Sequence, residues 1–552
     1  MVSSSIKLAM LFKQTSWTSV HATPPASVQR CCKAATVLLL LALVLTGCAN
    51  LPPPAPMAPT NAMAVSANTE LGALALAAAA AVDNAHTGLR PMPQADVALD
   101  ARLTLIRHAQ ASLDLQYYLV GDDDIGHLLM RELCDAAERG VRVRLLMDDF
   151  YTAGMDRLLL GLAAHPNIEV RLFNPFGSGR ASAGGRLLNL AFDFKRLNHR
   201  MHNKLFIADG AISVVGGRNM ADGYFLRGPD NFQDFDALAL GAVVPQLQTI
   251  FDRYWNNPHV IDIAAVAHSD DTPESLRAYF DSHTNVPPNI AQAKVAKDAY
   301  GEPLLSIDLP ASLQHLVWAD ANAYADTPDK VDRGITPAEM SETALYHSLA
   351  AFREARSELF LFSPYVVPGR VGMAGLKEAR DHHIPVRVIT NSMATTDEPL
   401  ASLAYERYRV PMLKMGIELY ELRPVVTTGD KANGPGASRS RWHAKMAFID
   451  RKTSVLGSMN LDQRSATTNT ELVMLIRSPD FAGRVLSYFS ATREEDVDHV
   501  YHVKLKPDGV GLQWVSLKGS GKTEVLEAEP DMDYLLRLKL LLLSPFVSED
   551  LL

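Results

Sequence analysis

The sequence predicts an α/β protein built from two copies of one unit. Three observations carry this. Apolar runs of strand length alternate with helical stretches, the alternation occurs twice in the same order, and each copy leads into a His-x-Lys-x4-Asp pattern. The chain has 552 residues, 47% hydrophobic and 21% charged, which is ample material for a sizeable core. Those proportions exclude disorder and collagen-like or small disulfide-stapled folds. A net charge of −9 gives no global basic field for nucleic acid. The four cysteines (Cys31, Cys32, Cys48, Cys134) supply neither a disulfide framework nor a zinc-like spacing.

The first element is a targeting segment. Lys7, Lys13, Arg30 and Lys33 precede Ala34–Leu45, a run apolar except for Thr36 and of signal-peptide length, too short to span a membrane comfortably. It ends in Leu45-Thr46-Gly47-Cys48, which resembles a bacterial lipobox; the expected products are a signal peptide, residues 1–47, and a lipidated Cys48. Ala49 after the cysteine is not a retention aspartate, so by analogy the outer membrane is the expected destination, on its periplasmic face. Residues 48–99 read as a tether: a Pro-rich stretch at Leu51–Pro59, then an Ala-rich helix at Leu71–Val82. Cys134 reads as a buried helix residue.

The globular body is expected from Asp100, with one repeat over 100–260, a connector over 261–340 and a second repeat over 341–500. Strand Leu113–Tyr118 has its counterpart in Leu359–Pro364, Gly140–Asp148 in His383–Asn391, and Ile168–Pro175 in Ile417–Pro424. Strand–helix–strand–helix–strand is the signature of parallel βαβ units. Gly-rich breaks, Gly177–Gly185 and Gly429–Gly436, precede the two most informative segments. The extension 501–552 carries the apolar stretch Tyr534–Pro545, which suits either a membrane interface or a core-packed terminal helix.

Those segments are His202-Asn-Lys204-Leu-Phe-Ile-Ala-Asp209 and His443-Ala-Lys445-Met-Ala-Phe-Ile-Asp450. In each, a glycine follows the histidine by 14 residues (Gly216, Gly457) and an asparagine by 17 (Asn219, Asn460). One such match is weak, but two at equivalent points of a repeat are not accidental. On a strand, His202 and Lys204 project from one face, as do His443 and Lys445. Asp209 and Asp450 have the opposite parity and fall where the apolar strand ends, so they read as turn and network residues rather than proton carriers. His199 and the pair His382-His383 read as ordinary hydrogen-bonded core histidines.

Paired histidines, lysines and asparagines suit phosphoryl transfer without a cofactor. One imidazole attacks phosphorus, the other protonates the leaving oxygen, and cations and amides hold the phosphoryl oxygens. An acid would orient each imidazole through its second nitrogen; the candidates are Glu471 and either Asp234 or Asp236.

These motifs, with Gly216-Gly-Arg-Asn219 and Gly457-Ser-Met-Asn-Leu-Asp-Gln-Arg-Ser465, resemble the phospholipase D superfamily, and within it the type C branch of bacterial cardiolipin synthases. The resemblance covers roughly residues 100–260 and 340–552. It implies a duplicated α-β-α sandwich whose halves form a pseudo-dimer with one active site at their junction. It also implies His202 as nucleophile and His443 as general acid then base. Lys204, Lys445, Asn219 and Asn460 would bind phosphate, with Asp234 and Glu471 behind the histidines. The implied activity is a phosphatidyltransferase on membrane phospholipids, phosphatidylglycerol and phosphatidylethanolamine foremost. A hydrolytic phospholipase D is the alternative, followed by a nuclease or an inactive lipoprotein scaffold.

Overall fold

The computed structural model describes residues 57–82, 85–423, 426–427, 438–494, 500–517, 523–530 and 542. The signal segment, Cys48, the opening of the Pro-rich stretch, the Gly429–Gly436 break and nearly all of the Tyr534–Pro545 stretch lie outside the described residues.

Eight strands form one half of the sheet: β1 (Thr87–Met92), β2 (Ser112–Tyr117), β3 (Arg142–Asp148), β4 (Ile168–Phe173), β5 (Leu205–Ala208), β6 (Ile212–Gly216), β7 (Asp236–Gly241) and β8 (Val260–Asp262). Their pairings give the order β8-β4-β3-β2-β5-β6-β7-β1. The second half repeats it with β9 (Val317–Ala325), β10 (Leu359–Phe362), β11 (Val386–Asn391), β12 (Glu418–Leu422), β13 (Met446–Ile449), β14 (Thr453–Gly457), β15 (Leu472–Arg477) and β16 (Val500–Leu505). Here the order is β16-β12-β11-β10-β13-β14-β15-β9. The expected parallel triplets are present, β2-β3-β4 and β10-β11-β12. The halves join where β1 and β9 pair antiparallel, Thr87 opposite Ala319 and Leu89 opposite Val317.

The helices of eight or more residues are α1 (Glu70–Ala80), α2 (Ala95–His108), α3 (Asp124–Glu138), α4 (Asp156–Ala163), α5 (Ala183–Phe192), α6 (Val244–Trp255), α7 (Pro273–His283), α8 (Ala344–Arg353), α9 (Gly369–Asp381), α10 (Pro399–Lys414) and α11 (Pro479–Glu494). Strand alternation sorts the core into layers. Leu205 and Ile207 of β5, with Met446 and Phe448 of β13, face a middle layer shared by both halves and filled from α6 and α11 by Phe251, Trp255, Phe481 and Val485. Phe206 and Ala208 face the outer layer of the first half, Ala447 and Ile449 that of the second. Cys134 is buried on α3, its Sγ 3.1 Å from His165 Nδ1.

Three expectations need correction. Residues from Thr60 onward are not tether: Arg144 donates to Thr60 O (2.8 Å), Ala62 N–H donates to Asp252 (2.8 Å), and the Trp255 indole donates to Thr60 Oγ1 (2.9 Å). The repeat also begins one strand earlier than Asp100, at β1, and its second copy begins at β9 inside the expected connector. Neither strand shows a sequence signal, because Thr-Gly-Leu-Arg-Pro-Met carries Gly and Pro and the inward side chains of β9 are mostly alanine. Finally, His382 and His383 are exposed at the end of α9, where His383 takes a positive φ of 60°, so they are not core residues.

Candidate active site

Each His-x-Lys segment lies just before its strand rather than on it; β5 starts at Leu205 and β13 at Met446. The reason is where the backbone bonds go. His202 N–H donates to Thr470 O (2.9 Å) and His443 N–H donates to Gln233 O (2.8 Å), so each motif pairs with the other half of the chain. A small parallel ladder, Arg439–Trp442 beside Asp230–Gln233, continues the second of these crossings.

That crossing brings in the acids. Glu471, next to Thr470, accepts from His202 Nδ1 through both oxygens at 3.0 and 3.1 Å. Asp234, next to Gln233, meets His443 Nδ1 at 2.6 Å. Each histidine of one repeat is thus held by a carboxylate of the other. Asp236, the alternative candidate, instead pairs with Arg102 and Arg218 and does not face a histidine. All four paired groups are buried.

The Lys204 ammonium donates to His202 O (2.6 Å) and lies over the Tyr118 ring. Lys445 Nζ sits 3.0 Å from His443 Nε2. Asn219 Oδ1 accepts from Leu119 N–H at 3.3 Å, and Asn460 Oδ1 is buried with no protein partner among the described residues.

Asp209 and Asp450 do something else. Asp209 accepts N–H bonds from Gln110, Ala111 and Ser112, ahead of β2. Asp450 accepts from Arg356, Ser357 and Glu358, ahead of β10. Both adopt φ near +50° (50° and 54°), a conformation aspartate tolerates. They tie the turn after the motif strand to the start of its neighbour.

Burial is the first cause of every large shift at the site. It pushes the His202 imidazole down to about 4, with Glu471 opposing and Lys204 reinforcing. His443 is lowered by burial and then Lys445, against Asp234. Lys445 falls to about 8 and Lys204 well below its ordinary value, both chiefly through burial. Burial would raise the acids, but His443 holds Asp234 below the usual carboxylate range and His202 does the same for Glu471. Both imidazoles are therefore neutral at pH 7, each with Nδ1 turned to an acid, and Nε2 of His443 also meets the Lys445 ammonium.

Several contributors were not singled out from sequence. Ser458 and Ser465 donate their hydroxyls to Glu471, and Asp326 accepts from its N–H (3.1 Å) while pairing with buried Lys330 (2.7 Å). Tyr118 and Tyr224 stand edge-on to His202 and His443, each with centroids 5.1 Å apart. Tyr365 donates to Asp397 (2.8 Å), whose charge reaches His443 and Lys445. The serines lie within the Gly457–Ser465 run, so a signal existed for them; Tyr118 closes the Leu113–Tyr118 run, and Tyr224, Tyr365 and Asp397 lie in segments without one.

A duplicated sheet with two crossed histidine–acid pairs defines a phosphoryl-transfer enzyme of the duplicated phospholipase D type. A family profile described as "Cardiolipin synthase, PLD-like domain" matches residues 103–255 and 349–493. Cardiolipin synthase C of Escherichia coli (strain K12) is 34% identical over 466 residues, 83% of this chain and 94% of that protein. Cardiolipin synthase A of Pseudomonas fluorescens (strain Pf-5) is 24% identical over 403 residues, 73% of this chain and 67% of that protein. Phosphatidylserine synthase of Haemophilus influenzae Rd KW20 shares the fold with a TM-score of 0.52 over 84% of this chain and 94% of that one, at 13% identity. The chain belongs to the PLD-like cardiolipin synthase family.

Proposed function

We propose that the protein transfers a phosphatidyl group between membrane phospholipids by a two-step phosphohistidine mechanism. The observation that carries this is the crossed pairing of His202 with Glu471 and His443 with Asp234, which leaves two Nε2 atoms oriented and uncharged. In the first step, His202 Nε2 attacks phosphorus, the bond to the donor headgroup oxygen breaks, and that oxygen takes a proton from His443. In this step His443 carries the proton, a state that Asp234 and the bound phosphate anion favour against burial and the Lys445 charge. In the second step, an acceptor hydroxyl gives its proton to His443 and its oxygen displaces His202, breaking the phosphorus–nitrogen bond. Lys204, Lys445, Asn219 and Asn460 hold the phosphoryl oxygens.

The acceptor is phosphatidylglycerol, giving cardiolipin, with phosphatidylethanolamine or a second phosphatidylglycerol as donor. Membrane attachment through a lipidated Cys48 brings enzyme and substrate to one surface; no helix among the described residues is long and apolar enough to cross a membrane. The test mixes purified enzyme with labelled phosphatidylglycerol and either donor in vesicles. Cardiolipin is the expected product, and phosphatidic acid without cardiolipin would identify a hydrolase instead.

A further inference from the structure

The two repeats are not filled alike. In the first, α2 and α3 bury eleven and nine residues against the sheet and the covering segment that includes Phe280, Leu304 and Leu309. The equivalent helices of the second repeat, α8 and α9, bury only three residues and one. Between these helices and the sheet lie two apolar cavities. The inner, about 140 Å³, reaches Lys445, Gly457 and Asn460. The outer, about 770 Å³, runs the length of α9 from Arg370 to His382. They share walls of Leu349, Phe352, Leu361, Val371 and Leu461.

We infer that this channel takes one acyl chain of the phospholipid whose phosphate sits at His202 and His443; the assignment rests on the phosphatidyl-transfer reading. Three observations select that occupant. The inner cavity adjoins the proposed phosphate site, since Lys445 and Asn460 line it, and it shares its walls with the outer one. Most of its wall is aliphatic, with Arg353, Arg356, Arg370, Glu378 and His382 around the outer part, and that outer part falls in the ~300–1,000 Å³ range of ligand pockets. Its length also fits: α9 has 13 residues, about 20 Å at 1.5 Å rise, and one leaflet's hydrocarbon is about 15 Å, half the ~30 Å bilayer core. Val371 lines both cavities yet is 57% exposed, so the channel opens along its side for a chain to slip in from a membrane.

Gly375 offers a direct probe. A Cβ there would meet nothing closer than Leu349 Cδ2 at 4.0 Å, so a larger side chain fills the channel, and replacing glycine inside a helix favours folding. Vesicles of phosphatidylglycerol and phosphatidylethanolamine, doped with a phospholipid bearing a diazirine in one acyl chain, are irradiated with the full-length protein and the adducts mapped by mass spectrometry. Adducts on Leu349, Val371 or Leu376 are expected, abolished by Gly375→Leu and retained by Gly375→Ala. In transfer assays, Gly375→Leu should raise KM for a dioleoyl donor about tenfold more than for a dihexanoyl donor, the loss of two buried methylenes at ~0.8 kcal/mol each. Adducts confined to other surfaces, equal effects on both donors, or a dimer cross-linked through Val371 would overturn the channel. If the wild type transfers no phosphatidyl group from either donor, the functional reading fails, while the adduct map still decides whether the channel holds a chain.

Discussion

At the residue scale, charge and burial set the working pH. His202, the proposed nucleophile, is neutral above about 4, and protonation below that would remove the lone pair it attacks with. Lys445 loses its proton above about 8, and with it a phosphate-holding cation. A plot of kcat/KM against pH, which reports the free enzyme, should therefore be bell-shaped, with an acid limb near 4 from His202 and an alkaline limb below the ordinary histidine value, where His443 loses the proton it gives to the leaving oxygen; an acid limb at the ordinary histidine value would contradict the burial of His202. Replacing either histidine by alanine, or Glu471 by glutamine, should lower kcat by about 10³–10⁴-fold, because an imidazole without its acid loses tautomer and orientation. Asp209→Ala should behave differently. It strips the acceptor from three backbone N–H groups, so denaturant unfolding should show a loss of about 2 kcal/mol or more with kcat of the folded fraction unchanged. Glycine matters at one point here: a Cβ on Gly217 would lie 2.2 Å from Asp234 Oδ1, whereas Ser458, its counterpart, donates to Glu471. The two acids differ in length, and the residue facing each differs to match.

At the element scale, the motif strands and the parallel triplets were legible because their apolar alternation is strong and repeated. The crossing segments were not, since Thr470-Glu471 and Gln233-Asp234 are polar and short, and nothing local reveals which histidine each acid meets. β9 was hidden for a related reason. Its inward residues Ala319, Ala321, Ala323 and Ala325 are small because they face the middle layer filled from both halves and α6, and small residues give no hydrophobic period. Ala321→Leu should therefore overpack the middle layer and cost about 1–3 kcal/mol, visible as a lower Tm. The Gly177–Gly185 break is held in place: Gly177 N–H donates to Asn189, and Arg180 within it and Arg186 just after it anchor on buried Asp149. Charged side chains, not glycine, fix that loop.

At the scale of the whole molecule, duplication was readable from the motifs, but interdependence was not, because it exists only in the pairing of distant residues. Cutting the chain after Gln314, beside exposed His315, separates the first repeat and its covering segment from β9 onward. Neither fragment should turn over substrate, and mixing the two should restore activity, as measured by cardiolipin formation from labelled lipid. An active single fragment would show that one repeat carries its own acid. The crossed pairs also bear on timing during biosynthesis. His202 emerges from the ribosome 269 residues before Glu471, and His443 follows Asp234 by 209. A growing or truncated polypeptide therefore holds no complete histidine–acid pair until His443 has been added, and lacks the second until Glu471. Most of the chain is therefore made before the site can exist, and the chemistry becomes available only once the last sixth has been added and has folded back on the first repeat.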